Sequence, residues 1–301
     1  MRNSGSAALC VIVAASLWGL IGIFTRSLTN AGLSAMQITE VRCSVTAFCI
    51  FVILAVFDRK LLRISPKDIW MFLGTGILSI AMFNVLYFTA TTMVTLSMAA
   101  VLLYTAPCFV MVMSVIFFKE RITRRKVLAL IAAFCGCALT AGVLGGLGSI
   151  NALGIAVGVG SGFGYALYSI FGKVALKKYH PFTITFYTFL VAAVALLPFS
   201  DVTEIASAAS SGSATMMLAL GVLITLVPYF LYTYGLNRMD AGKAAVIAFV
   251  EPMVATVVGF VLFGEELGMA ELLGIALILM SVVLLNCESD GNPYGSNRYA
   301  P

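Results

Sequence analysis

Charge is what this sequence has least of. Only 10% of its 301 residues are Asp, Glu, Lys or Arg, 61% are hydrophobic, and the mean hydropathy is +1.06; a soluble domain is typically about a quarter charged. Histidine is almost missing as well. With His180 alone, neither a histidine metal site nor a Ser/His catalytic pair can be built inside the apolar segments. No phosphate-cradling Walker pattern occurs, which argues against ATP as the direct energy source. The cysteines, at 10, 43, 49, 108, 135, 137 and 287, lie in or at the ends of apolar runs, and no pair has metal or redox spacing. We therefore expect no enzyme activity, no cofactor or metal, and no nucleic-acid partner.

Long apolar runs are what the chain does have. A helix needs roughly 20 predominantly apolar residues to cross a hydrocarbon core of about 30 Å. Ten such runs recur, at about 7–25, 37–57, 69–89, 96–118, 127–144, 151–172, 181–199, 215–235, 244–263 and 270–286. Backbone groups in lipid must be satisfied within the segment, and a barrel would show short alternating strands instead. The expected fold class is an all-α integral membrane protein with ten transmembrane helices, partnered by the lipid bilayer. The first run is too long for a signal peptide, contains Trp18 and lacks a small-residue cleavage site. The connection at 200–214 reads as a polar surface loop and residues 291–301 as a disordered tail.

Charge position then orients the chain. With the N-terminus in the cytoplasm, all of the 18 lysines and arginines except Arg26 and Arg42 fall in cytoplasmic segments, as the positive-inside rule requires. Both termini are expected there. The chain also repeats itself at an offset of 145 residues, where Pro107 meets Pro252, Val112 Val257, Phe118 Phe263, Glu120 Glu265 and Leu128 Leu273. Each copy runs from an apolar helix with proline near its start, through a charged break with glutamate, into a second apolar helix. Five spans per copy is an odd number, so the copies enter the membrane in opposite senses. That explains why the first break, KERITRRK, is basic and the second, GEELGMAE, acidic. The chain thus divides into 1–145 and 146–290, two inverted five-helix repeats in one membrane domain. Secondary transporters commonly use this plan, because similar halves can exchange shapes and open a central site to each side in turn.

Several residues carry a resemblance. They are SLWG at 16–19, Arg42 in span 2, the Pro and Glu pairs at 107/120 and 252/265, and the glycines that follow, Gly136 and Gly274. Over 7–286 the sequence resembles the EamA group of the drug/metabolite transporter superfamily. The resemblance implies a basket-like ten-helix fold with a central cavity, in a plasma membrane such as the bacterial inner membrane. It also implies export of a small metabolite such as an amino acid, without fixing the substrate. The sequence departs from the pattern at Ser281, where the first copy has Gly136, and at Phe163-Gly164, where span 1 has Trp18-Gly19. A membrane-embedded enzyme or a non-transporting scaffold is the alternative, although no channel filter or catalytic pair is visible.

Candidate site residues follow from depth and chemistry. Glu251 is read as the only acid well inside a span, roughly 10 Å deep; an ionisable group there needs a cavity or a partner, which makes it the proton-coupling candidate or, alternatively, a structural glutamate hydrogen-bonded across helices near the Pro252 kink. Pro107 and Pro252 each free a backbone carbonyl and kink their helices, at a binding site or as plain packing. Trp18, Asn84, Tyr87, Tyr104, Tyr165, Tyr168, Tyr229 and Tyr232 are candidates to line a cavity for an amphipathic solute, the tyrosines alternatively being interfacial anchors. Arg26, Glu40 and Arg42 form either an outer gate or a structural ion pair between Glu40 and one of the arginines. Gly154, Gly158 and Gly162, four apart, give one helix face for close packing.

Overall fold

The structure, a computed structural model, describes residues 2–142 and 151–286. Cys287, Arg298 and the expected tail at 291–301 lie outside the described residues. Among the described residues the chain is helical, and we number ten helices. They are α1 Gly5–Asn30, α2 Ala35–Phe57, α3 Pro66–Met93 and α4 Leu96–Phe118, α5 Arg124–Thr140, α6 Ala152–Ala175, α7 Pro181–Phe199, α8 Ala214–Leu236 and α9 Ala241–Phe263, and α10 Met269–Asn286. Eight of them are long and apolar enough to cross a membrane. The other two are α5, whose 17 residues begin with Arg124, Arg125 and Lys126, and α10, with 18 residues.

Polar residues just outside the apolar runs start the helices, as capping chemistry requires. Ser34 and Gln37 form a reciprocal capping box at α2. Thr95, Thr123, Asn151 and His180 accept backbone N–H groups at α4, α5, α6 and α7. The 200–214 connection is more ordered than a polar loop: Asp201 caps a short helix, Val202–Ala208. Its Glu204 accepts a hydrogen bond from Gln37 at 2.5 Å, and Ala208 packs with Ile38 and Val41, so it covers one end of α2.

Helices α4 and α9 are each built in two pieces. The first divides into Leu96–Leu103 and Ala106–Phe118, the second into Ala241–Ile247 and Val250–Phe263. Pro107 and Pro252 stand in the first turn of the second pieces, where the missing N–H has no intrahelical partner to lose. The expected kinks are therefore breaks, with proline at the restart. Tyr104 and Phe249 occupy the two breaks and face each other with ring centroids 5.7 Å apart. The second pieces also end alike. Lys119 (φ 56°) and Gly264 (φ 66°) take the left-handed conformation, and Glu120 N–H to Ser114 O (3.3 Å) matches Glu265 N–H to Gly259 O (3.1 Å). Each of these bonds reaches back six residues, and the left-handed residue just before it turns the chain out of the helix.

Helix pairings come in matched sets. The α1 helix packs on α8 and α6 on α3; α1 packs on α9 and α6 on α4; α2 packs on α7 and α5 on α10. Glycine permits the closest of these approaches. A Cβ on Gly136 or Gly274 would lie 2.7 Å from the carbonyl oxygen of the other, so α5 and α10 touch backbone to backbone. The expected glycine face of α6 is used in this way: Gly158 meets Leu102, and a Cβ on Gly162 would lie 2.8 Å from Leu102 O.

Candidate functional site

The packing of α1, α4, α6, α8 and α9 leaves an aromatic box at their meeting point. Trp18 comes from α1, Tyr165 and Tyr168 from α6, Tyr229 and Tyr232 from α8, with Pro107 and Ala245 closing the walls. Each tyrosine pair is spaced by three, which puts both rings on one helix face. Trp18 meets Tyr229 edge-on at 5.0 Å and Tyr232 at 5.5 Å, and Tyr168 meets Tyr229 at 5.1 Å. The tyrosine hydroxyls are held from behind, Tyr168 by Thr233 at 2.7 Å and Tyr232 by Ser169 at 2.8 Å. Space for the centre of a water-sized sphere is about 20 Å³, room for roughly one water. The box is closed in this conformation.

Two charged side chains border the box. Glu251, half-buried in the first turn after the α9 break, is approached by the hydroxyls of Tyr104 and Tyr165. Arg42 of α2 is 8% exposed and reaches the Tyr229 hydroxyl. Among the described residues, Trp18 Nε1, Arg42 Nε and Glu251 Oε2 are buried without a hydrogen-bond partner. Burial of such atoms unpaired is costly. Gly19 explains how α1 comes so close: a Cβ there would stand 2.8 Å from Glu251 O, so the Trp-Gly pair seats the indole beside the α9 break.

The other expected residues divide. Tyr104 faces Glu251, and Tyr87 lies near it. Asn84 is turned away from this role: its amide donates to Ile80 O at 2.7 Å and its oxygen accepts from Thr39 at 3.4 Å. The trio Arg26, Glu40 and Arg42 does not assemble. Arg26 pairs with Glu265 at 2.5 Å, Glu40 accepts from Ser44 at 2.6 Å, and Arg42 turns to Tyr229. Glu40 is also buried, so Glu251 is not alone as an acid inside a span; the helix Val202–Ala208 covers that end of α2. Sequence reasoning missed Ser169 and Thr233, whose small hydroxyls only acquire meaning once α6 and α8 are adjacent.

Away from the box, the end of the bundle rich in lysine and arginine is tied by ion pairs. Glu120 accepts from Lys173 Nζ at 2.7 Å, from Ala241 N–H at 2.8 Å and from Gly242 N–H at 3.3 Å. Burial acts to raise its carboxyl, but the Lys173 charge and these donors outweigh burial and hold it below the ordinary 4.5. Lys126 bonds Asp240 at 2.6 Å, and Lys173 also donates to Met239 O at 2.8 Å.

A model built for the EamA-like transporter family matches residues 5–142 and again 152–287. The chain belongs to the EamA-like transporter family. An uncharacterized transporter of Archaeoglobus fulgidus is 32% identical over 91% of this chain and 94% of its own. The Bacillus subtilis uncharacterized transporter YxxF is 26% identical over 96% of this chain and 92% of its own. A solved crystal structure shares the fold, with a TM-score of 0.77 at 17% identity over 94% of this chain and 97% of that one. EamA membership and the apolar helices make the chain a multi-pass membrane protein of a transporter family.

Proposed function

We propose that this EamA protein is a secondary transporter that works by alternating access and exports a small metabolite such as an amino acid through the aromatic box. The carrying observation is the set of unpaired polar atoms around that box. Trp18 Nε1 and Arg42 Nε are donors, and Glu251 Oε2 is an acceptor. A solute with a carboxylate and an ammonium group supplies an acceptor to the first two and a donor to the third, while its apolar part stacks on the tyrosine rings. The same carboxylate, Glu251, is the proton-coupling group in this reading, since an acid beside a closed cavity can exchange its proton with the solution when the cavity opens.

The reading takes all ten helices as spans and the two halves as inverted repeats, with both termini in the cytoplasm. It is supported by the matched helix breaks in α4 and α9, the left-handed helix ends at Lys119 and Gly264, and the pairings that recur after a shift of five helices. Concentration of the basic residues at one end of the bundle supports the orientation.

The test is transport by purified protein in liposomes. Wild-type protein is expected to take up one class of zwitterionic solute saturably and to respond to an imposed pH gradient. Arg42→Gln should raise KM for that solute at least tenfold, and Glu251→Gln should abolish the response to the gradient. Full gradient-dependent transport by folded Glu251→Gln would remove the proton role; unchanged KM in Arg42→Gln would remove the carboxylate anchor.

A further inference from the structure

Glu120 and Glu265 occupy the same place in the two copies, yet their side chains do different things. Glu120 reaches across to the start of α9. Its Oε1 accepts from Ala241 N–H and Lys173 Nζ, and its Oε2 accepts from Gly242 N–H. The side chain is 7% exposed. It takes over the capping of α9, because the residue in the N-cap position, Asp240, makes no side-chain cap there and pairs with Lys126 instead. The link joins the α4–α5 connection to the ends of α6 and α8 and to the first piece of α9, so it ties these elements together at the basic end of the bundle.

At the same offset of 145 residues the partners of Glu265 would be Leu96 and Ser97, at the start of α4. Its backbone is already set as in the first copy, by the left-handed Gly264 and the bond to Gly259 O. The side chain is instead 52% exposed and bonded to Arg26, whose guanidinium lies 3.8 Å over the Phe263 ring. Thr95 caps α4 in its place, accepting from Met98 N–H at 3.2 Å. One carboxylate is thus engaged on its helix start and its counterpart is not.

We propose that Glu120 and Glu265 are a pair of alternating latches. In the conformation seen here Glu120 clamps the start of α9 and closes the basic end, while Arg26 holds Glu265 away. In the opposite conformation Glu265 leaves Arg26 and caps the start of α4, and Glu120 releases α9. Both helix starts belong to broken helices, and Pro107 after the α4 break and Ala245 before the α9 break stand in the walls of the box, so engaging a latch moves a helix that builds the site. Arg26 aligns with Phe171 and Lys173 with Leu28, so each latch has its own counter-ion, and the two can be tuned separately. The inference rests on the alternating-access reading, which supplies the second conformation.

Hydrogen exchange read by mass spectrometry on the full-length protein in lipid nanodiscs tests it. Glu120→Gln should speed exchange across 241–247 by about tenfold, as a lost local closure does, and should slow exchange across 96–103 as Glu265 engages. Lys173→Met, which loosens the same carboxylate without removing it, should shift both segments in the same directions. Glu265→Gln should leave 241–247 as protected as in wild type or more so. A Glu120→Gln protein that loses protection at 241–247 with no gain at 96–103 would show a local cap only and overturn the proposal. So would a protein in which both segments loosen together. Liposome transport separates the two claims: intact transport with no reciprocal protection sinks the latches alone, whereas reciprocal protection in a protein that moves no solute sinks the transport reading alone.

Discussion

Glu120 shows how a single side chain can decide the stability of one end of the bundle. Its carboxyl is held below 4.5 by Lys173 and two backbone donors despite burial. A depressed carboxyl stabilises the fold above its unfolded-state value and loses that contribution as pH falls through the folded one. Thermal unfolding in detergent should therefore find Glu120→Gln less stable than wild type at pH 7, by about 1–3 kcal/mol. The two curves should converge as pH drops below 4.5. Parallel curves down to low pH would mean that the ionised carboxylate contributes little. Within the box, Tyr232→Ala should weaken solute binding while the protein still folds, because it removes one wall and frees Ser169. Unchanged affinity in folded Tyr232→Ala would take that ring out of the site.

At the scale of elements, the repeat makes its own comparison. Lys119 and Gly264 do the same job, but lysine in the left-handed region costs about 1–2 kcal/mol that glycine avoids. Lys119→Gly should raise the melting temperature, and Gly264→Lys should lower it; a fall for Lys119→Gly would show that the lysine side chain contributes a compensating contact. The α5–α10 seam is the other sensitive element. With backbones so close at Gly136 and Gly274, Gly136→Val forces the helices apart and should cost about 1–3 kcal/mol, as overpacking does. Stability equal to wild type would mean that the seam opens freely.

For the whole molecule, the sequence announces a good deal. Apolar run length marks where the helices lie, and Pro107 and Pro252 mark where α4 and α9 divide. Of the tyrosines spaced by three, the α8 pair meets Trp18 and Tyr168 of α6 meets the α8 pair. What could not be read depends on contacts between distant segments. Arg42 resembles an end residue by position and becomes a neighbour of Tyr229 only through the packing of α2 against α8. Asn84 has the polarity of a site residue, but Ile80 O and Thr39 already satisfy it. The grip of Glu120 on Ala241 and Gly242 joins residues more than a hundred positions apart, and no periodicity reports it. In the function proposed above, a zwitterionic solute crosses through the closed aromatic box, with Arg42 and Glu251 beside it. Uptake by purified protein in liposomes, across a panel of radiolabelled amino acids, sugars and nucleosides with and without a pH gradient, tests it most directly. The account predicts saturable uptake of amino acids, steeper with the gradient and weakened by Arg42→Gln. Uptake confined to uncharged sugars, or uptake indifferent to Arg42 and Glu251, would contradict it.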